Sequence, residues 1–189
     1  MKHIIAPLAL LASSLAMSAQ AQTDVAPSPS ADLQTESCYL KGISEQVRCG
    51  TLQVPENYDQ PEGVKIGIHF AVLPAISENK RPDPLLIFAG GPGQAATELA
   101  QMIDRIFSSV RQQRDILLID QRGTGKSNPL QCQMTHVEEL VKSDDAIDLA
   151  QVASECLAQF AGQYDLTQYH SVNAIRDFEA VRQALGYEQ

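Results

Sequence analysis

The sequence is short of positive charge. Fourteen Lys and Arg stand against 23 Asp and Glu in 189 residues, a formal net charge of −9. A protein that grips nucleic acid needs a basic face to displace condensed counterions, so this balance argues against that class of partner. Cysteine is scarce too: there are four, and no two form a C-x-x-C pair. With the histidines scattered as well, a zinc site has no local frame to build on. No internal repeat is present, and no segment reaches the roughly 20 apolar residues of a spanning helix.

What is present begins with MKHIIAPLALLASSLAMSAQAQ. Lys2 supplies a positive start, Ile4 to Met17 are mostly apolar, and Ala19-Gln20-Ala21 is a small-x-small cleavage pattern. Residues 1–21 therefore read as a signal peptide, with cleavage expected after Ala21. Residues 22–36, "QTDVAPSPSADLQTE", carry Pro, Ser and Ala without periodicity and read as a flexible leader. Residues 37–189 hold enough apolar side chains for one compact domain, or for part of a larger one. The expected location is exported, periplasmic or secreted, with no membrane attachment after cleavage. In an oxidising compartment an even number of cysteines points to disulfides, and four cysteines allow three connectivities. The local pairs Cys38–Cys49, around "YLKGISEQVR", and Cys132–Cys156 are favoured. A ring of about 15 residues would be worth about 3 kcal/mol.

Periodicity then sorts the chain into elements. "CGTLQVPENYD" predicts a short strand through Thr51 to Val54, ending at Pro55. In "VKIGIHFAVLPA" the residues Val64, Ile66, Ile68, Phe70 and Val72 share one face at period two. His69 falls on the opposite face and reads as a sheet-surface histidine. Pro61-Glu62-Gly63 joins the two strands as a hairpin. Leu85 to Phe88 and Ile116 to Ile119 are continuous apolar runs, the pattern of strands buried on both faces. Between them Leu99, Ile103, Ile106, Phe107 and Val110 recur at helical spacing, which completes a βαβ unit. Ile147, Ala150, Ala153, Leu157 and Phe160 mark another helix. A last one covers Val172 to Leu185, with Ser171 as N-cap and Gly186 just past its end. The predicted class is α/β, an antiparallel hairpin edge followed by parallel βαβ units.

Two glycine loops lie at carboxyl ends of predicted parallel strands, where open α/β sheets gather ligands. "DQRGTGKSNP" superficially matches the P-loop, G-x-x-x-x-G-K-[ST]. Its first glycine slot holds Asp120, however, and Asn128-Pro129 turns the chain where a phosphate-facing helix should open. No nucleotide is expected here. In "FAGGPGQ", Gly90 and Gly91 let the backbone turn sharply and expose a peptide N–H.

Taken together, "CGTLQVPENYDQP", "IFAGGPGQ", "LLIDQRGTGKSNPLQC" and "AIRDFEAVRQALGY" resemble, in order and context, secreted α/β-hydrolases of the proline iminopeptidase and tripeptidyl aminopeptidase type, which are serine peptidases. The resemblance runs from Cys38 to the end of the chain. It implies that Gly91 supplies the oxyanion N–H in a loop with Gly90, Pro92 and Gly93, and that the Gly91-Pro92 peptide is cis. It also implies that Asp120 and Arg122 brace this loop, and that the substrate is a peptide with a free N-terminus. Neither cofactor nor metal is implied. These enzymes usually have His before the two glycines, whereas this chain has Ala89. They carry their nucleophile in a G-x-S-x-G elbow, followed by the triad acid and histidine. No G-x-S-x-G occurs in this sequence. The expectation is thus an N-terminal portion of such a hydrolase, ending before the elbow and inactive alone. An esterase or other small-molecule hydrolase, and a short non-catalytic binding protein, are the alternatives.

Overall fold

The computed structural model describes residues 33, 35–133 and 149–188. The signal peptide, nearly all of the leader and the helix start at Ile147 lie outside these residues.

Five strands form one sheet: β1 Thr35–Cys38, β2 Val47–Pro55, β3 Lys65–Leu73, β4 Leu85–Ile87 and β5 Ile116–Ile119, in the order β1-β2-β3-β5-β4. The alternation of β3 explains its place at the centre. Ile66, Ile68, Phe70 and Val72 point to one face, while Ala71 and Leu73 point to the other, and all six are buried. The β2–β3 hairpin runs in register from Arg48↔Val72 to Pro55↔Lys65. β5 is buried throughout, as its uninterrupted apolar run requires. β4 and β5 pair in parallel, joined through α1 Ala100–Ile106 and α2 Ser108–Arg111. The other three pairings are antiparallel, so among the described residues the expected parallel series is confined to this pair.

Each face of the sheet has its own core. Ala71, Leu73, Ile116 and Leu118 meet Ala96, Ala100 and Ile103 on the α1 side. Ile66, Ile68, Phe70, Leu117 and Ile119 meet Phe178, Val181 and Tyr187 on the other, beneath α4 Ser171–Ala184. The remaining helix, α3 Leu149–Phe160, is tied to the chain by the Cys132–Cys156 disulfide, and Gln159 exchanges hydrogen bonds with the backbone of Gln133. The second disulfide, Cys38–Cys49, crosses from β1 to β2. Both expected pairings are present, which suits an oxidising, exported environment. Among the described residues no helix is long and apolar enough to cross a membrane.

Several local expectations are corrected. β1 opens at Thr35, inside the stretch read as leader, because its backbone pairs with Val47 to Gly50. β2 begins at Val47 rather than Thr51. The single helix expected through Val110 breaks at Phe107, whose φ of −103° and ψ of 22° leave the helical region, and Ile106 is exposed. β4 is an edge strand with half-buried side chains, and Phe88 beyond it is 65% exposed, touching only Phe178 edge-on among aromatic rings. At α4 the N-cap is His170, whose Nδ1 accepts from the Asn173 N–H at 3.4 Å, and Ser171 is the first helical residue. The C-terminal end follows expectation. Gly186 (φ 72°) donates to Gln183 O and Tyr187 donates to Arg182 O, a Schellman closure.

Candidate active site

The parallel strands β4 and β5 deliver both glycine loops to the same end of the sheet. After β4 the chain turns through Gly90-Gly91-Pro92-Gly93, all exposed, with a cis Gly91–Pro92 peptide as the resemblance implies. A Cβ on Gly91 would meet only ordinary contacts, so space is not what calls for glycine there. Its φ of +133° is, since side chains rarely adopt that conformation. The Gly91 N–H has no partner among the described residues.

The second loop is built around a carboxylate. Asp120, the residue after β5, is fully buried. One of its oxygens accepts from the Thr97 N–H at 2.9 Å, and the Thr97 hydroxyl lies 2.9 and 3.0 Å from the two oxygens. The other oxygen accepts from the Lys126 N–H at 3.2 Å. The loop also closes on itself through Gly123 N–H to Ser127 O and Leu130 N–H to Gly123 O. Its interior is thus filled by the chain's own anion. Thr97 belongs to the short 3-10 helix Ala96–Leu99 beyond the GGPG turn, so Asp120 holds the start of the helical segment that follows the turn. A Cβ at Gly125 would lie 2.6 Å from the Ala95 Cβ, which shows how closely the two loops pack.

Arg122 turns elsewhere. Its guanidinium forms a two-pronged pair with Asp177 of α4, both contacts at 2.7 Å, and donates to the carbonyls of Glu56 and Gln168. The rings of Tyr58 and Tyr169 flank it at 5.7 and 5.9 Å, and the Tyr58 hydroxyl donates to Asp177 at 2.9 Å. Arg122 and Asp177 are both fully buried. Burial pushes the Asp177 carboxyl up, against the pull of Arg122 and Tyr58. Burial, with the neighbouring carboxylates, also raises both tyrosines. None of these contacts reaches residues 90–93. Asp120 bonds to Thr97, beyond the GGPG turn, while Arg122 ties the loop to β2 and α4.

Asp177 and Glu56, both at this end, were not singled out from the sequence. Asp177 sits in the apolar stripe Ala174, Phe178 and Val181, and a lone carboxylate on such a stripe is a readable sign of a buried partner. His69 is only 7% exposed rather than on the sheet surface, because the Asp120 loop covers it. Its N–H donates to the Ser127 hydroxyl and its carbonyl accepts from the Asp120 N–H. Burial lowers the His69 imidazole below its ordinary value despite the nearby Asp120. Glu56 is also buried, accepting from the Asp165 N–H and the Tyr169 hydroxyl. His170 caps α4, and among the described residues no cluster of three or more metal-ligating side chains occurs.

No protein-family model matches the chain. Curated proteins do. A putative hydrolase, YuaR, of Escherichia coli is 29% identical over 153 residues, covering 77% of this chain and 30% of that protein. Carboxylesterase B of Mycobacterium tuberculosis is 29% identical over 182 residues, 86% of this chain and 34% of the relative. Serine protease Hip1 of the same organism is 26% identical over 152 residues, 73% and 29% respectively. All three are hydrolases by name. The similarity supports a serine hydrolase, without selecting the iminopeptidase type. The chain spans about a third of the length of these relatives.

Proposed function

We propose that this chain is the N-terminal portion of an exported serine hydrolase of α/β-hydrolase fold. In this reading the complete protein is an aminopeptidase that releases residues or short peptides from a free N-terminus. The observation that carries the reading is the unpartnered Gly91 N–H in the turn that follows β4, ahead of Thr97, which buried Asp120 holds. The complete enzyme's serine would attack the scissile carbonyl, and its histidine would move the proton to the leaving amine. Gly91 would hold the developing oxyanion. In this reading the serine elbow would follow a strand laid along the open edge of β4, and the acid and histidine would come later in the chain. No metal or cofactor enters the scheme.

A second reading, an esterase, is favoured by the 182-residue alignment with carboxylesterase B. One experiment separates them. The 189-residue chain and a form extended through the downstream reading frame are assayed on aminoacyl and tripeptidyl chromogenic amides and on a short-chain ester. The chain alone should turn over none of them, since losing a triad costs about six orders of magnitude. The extension should contain G-x-S-x-G within about 15 residues of Gln189, given typical helix-to-strand connections. It should cleave the amides in a serine-dependent way, and Gly91→Ala should lower kcat. Ester turnover without amide turnover would establish the second reading. An extension lacking the elbow would overturn both.

A further inference from the structure

Helix α4 ends at the side of the sheet opposite the glycine loops, and the chain just past it is held at every polar group. Helix ends commonly fray. Here Gly186 turns the chain out of the helix at φ 72°, and Tyr187 follows it. The Tyr187 N–H donates to the Arg182 carbonyl at 3.2 Å. Its own carbonyl accepts from the Arg182 guanidinium, which pairs with Glu179 at 2.7 Å. Its hydroxyl donates to Asp115 at 2.7 Å and accepts from Arg48 at 3.3 Å. The residue is buried in the core that contains Phe178 and Val181.

Asp115 gives that hold a fixed address. It is 1% exposed, and its side chain also accepts from the Ala75 N–H at 2.8 Å, just past β3, and from Lys80 at 2.5 Å. Its backbone carbonyl accepts from Leu85 N–H, the first residue of β4, at 2.8 Å. One residue thus joins the end of β3, the start of β4 and the exit of α4. A strand parallel to β4 must enter the sheet at this same end, after a helical crossover such as α4.

We propose that Tyr187, acting through Asp115, is a positioning residue for the serine of the complete hydrolase. It fixes the point from which the chain passes to the open edge of β4, and so the register at which the elbow emerges beside Gly91. The inference rests on the hydrolase reading. Phe178 and Val181 hold α4 on the sheet but leave the chain beyond it unplaced. A shift of about 1 Å from a change far from the chemistry can cost about a hundredfold in rate. Tyr187→Phe keeps the ring and removes only the hydroxyl.

The test uses the form extended through the downstream reading frame. Its reactive serine is counted with a fluorophosphonate, and kcat is expressed per serine counted, on whichever amide or ester the parent turns over. Tyr187→Phe should lower kcat per serine at least about fivefold with KM unchanged. Asp115→Asn, which still offers the hydroxyl a hydrogen-bond partner, should fall between that variant and the parent. Val72→Ala opens a cavity in buried β3, opposite Leu117, and leaves the Tyr187 contacts in place. It should lower stability and leave kcat per serine unchanged. Fewer counted serines in Tyr187→Phe, each with the parent's kcat, would make Tyr187 a stabilising contact and overturn the proposal. So would a change confined to KM, or an equal loss of kcat per serine in Val72→Ala. A parent without a reactive serine would overturn the hydrolase reading itself, and this proposal with it.

Discussion

A methyl group at Gly125 would stand 2.4 Å from an Asp120 carboxylate oxygen, and the residue's φ of +53° already disfavours a side chain. Gly90 has neither constraint: nothing lies within 4 Å of its would-be Cβ. Gly125→Ala should therefore cost about 3 kcal/mol, combining backbone strain with overpacking. Gly90→Ala should stay within about 0.5 kcal/mol. Urea unfolding of the two variants decides the matter, and equal midpoints would remove the close-packed loop from the account. His69 makes a second residue-scale prediction. Its folded-state pKa is lowered, so its contribution is full above the ordinary value near 6.5 and is lost as pH falls through the lowered one. Asp120 opposes that shift, while Lys126 reinforces it and Glu36 weakly opposes it. Unfolding midpoints measured from pH 7.5 to 5 should drop in the parent chain and drop less in His69→Gln. Parallel profiles would assign the pH dependence elsewhere.

At the scale of elements, the loop after β5 is joined to α4 by one buried ion pair. Breaking such a pair leaves an uncompensated charge, whereas replacing both partners by apolar groups restores much of the loss. Arg122→Met alone should cost about 3–5 kcal/mol, and the double variant Arg122→Met/Asp177→Leu should recover part of it. A double-mutant cycle on chemical unfolding reads this directly. A single-variant cost under about 1 kcal/mol would mean that solvent reaches the pair and screens it. A second buried carboxylate works at the opposite end of the sheet. Asp115 accepts from Lys80, from the Ala75 N–H and from the Tyr187 hydroxyl at 2.7 Å. Burial raises its carboxyl, but these donors outweigh burial and hold it below the usual carboxylate range. The contact pins the exit of α4 to the start of β5.

For the whole molecule, the two disulfides should behave differently. Cys38–Cys49 lies within the sheet, with Cys49 in the α1-side core, whereas Cys132–Cys156 holds a helix whose residues are mostly exposed. Replacing Cys38 and Cys49 together by Ala should lower global stability by about 2–3 kcal/mol. Replacing Cys132 and Cys156 together should leave the sheet nearly unchanged while α3 loses hydrogen-exchange protection. Loss of protection across β3 and β5 in the second variant would show that α3 belongs to the same cooperative unit.

Local pattern was enough to reveal the alternation of β3, the apolar run of β5, the glycine closure of α4, both cysteine pairs and the two loops at one end of the sheet. Each of these depends on neighbours close along the chain. The edge position of β4 was not legible, because an apolar tripeptide reads the same at an edge as at a centre. Nor was the burial of His69, which comes from a loop more than fifty residues away folding over it. Asp120 and Arg122 were both marked as supports of one loop, yet they serve opposite faces of the sheet. Periodicity says which residues share a face, and says nothing about what crosses that face from elsewhere. The amino-acid sequence by itself determined the alternation of β3, the apolar run of β5, the close of α4 and the disulfide pairs. Only the tertiary structure decided which buried charges meet, because their partners lie on segments brought together by the sheet.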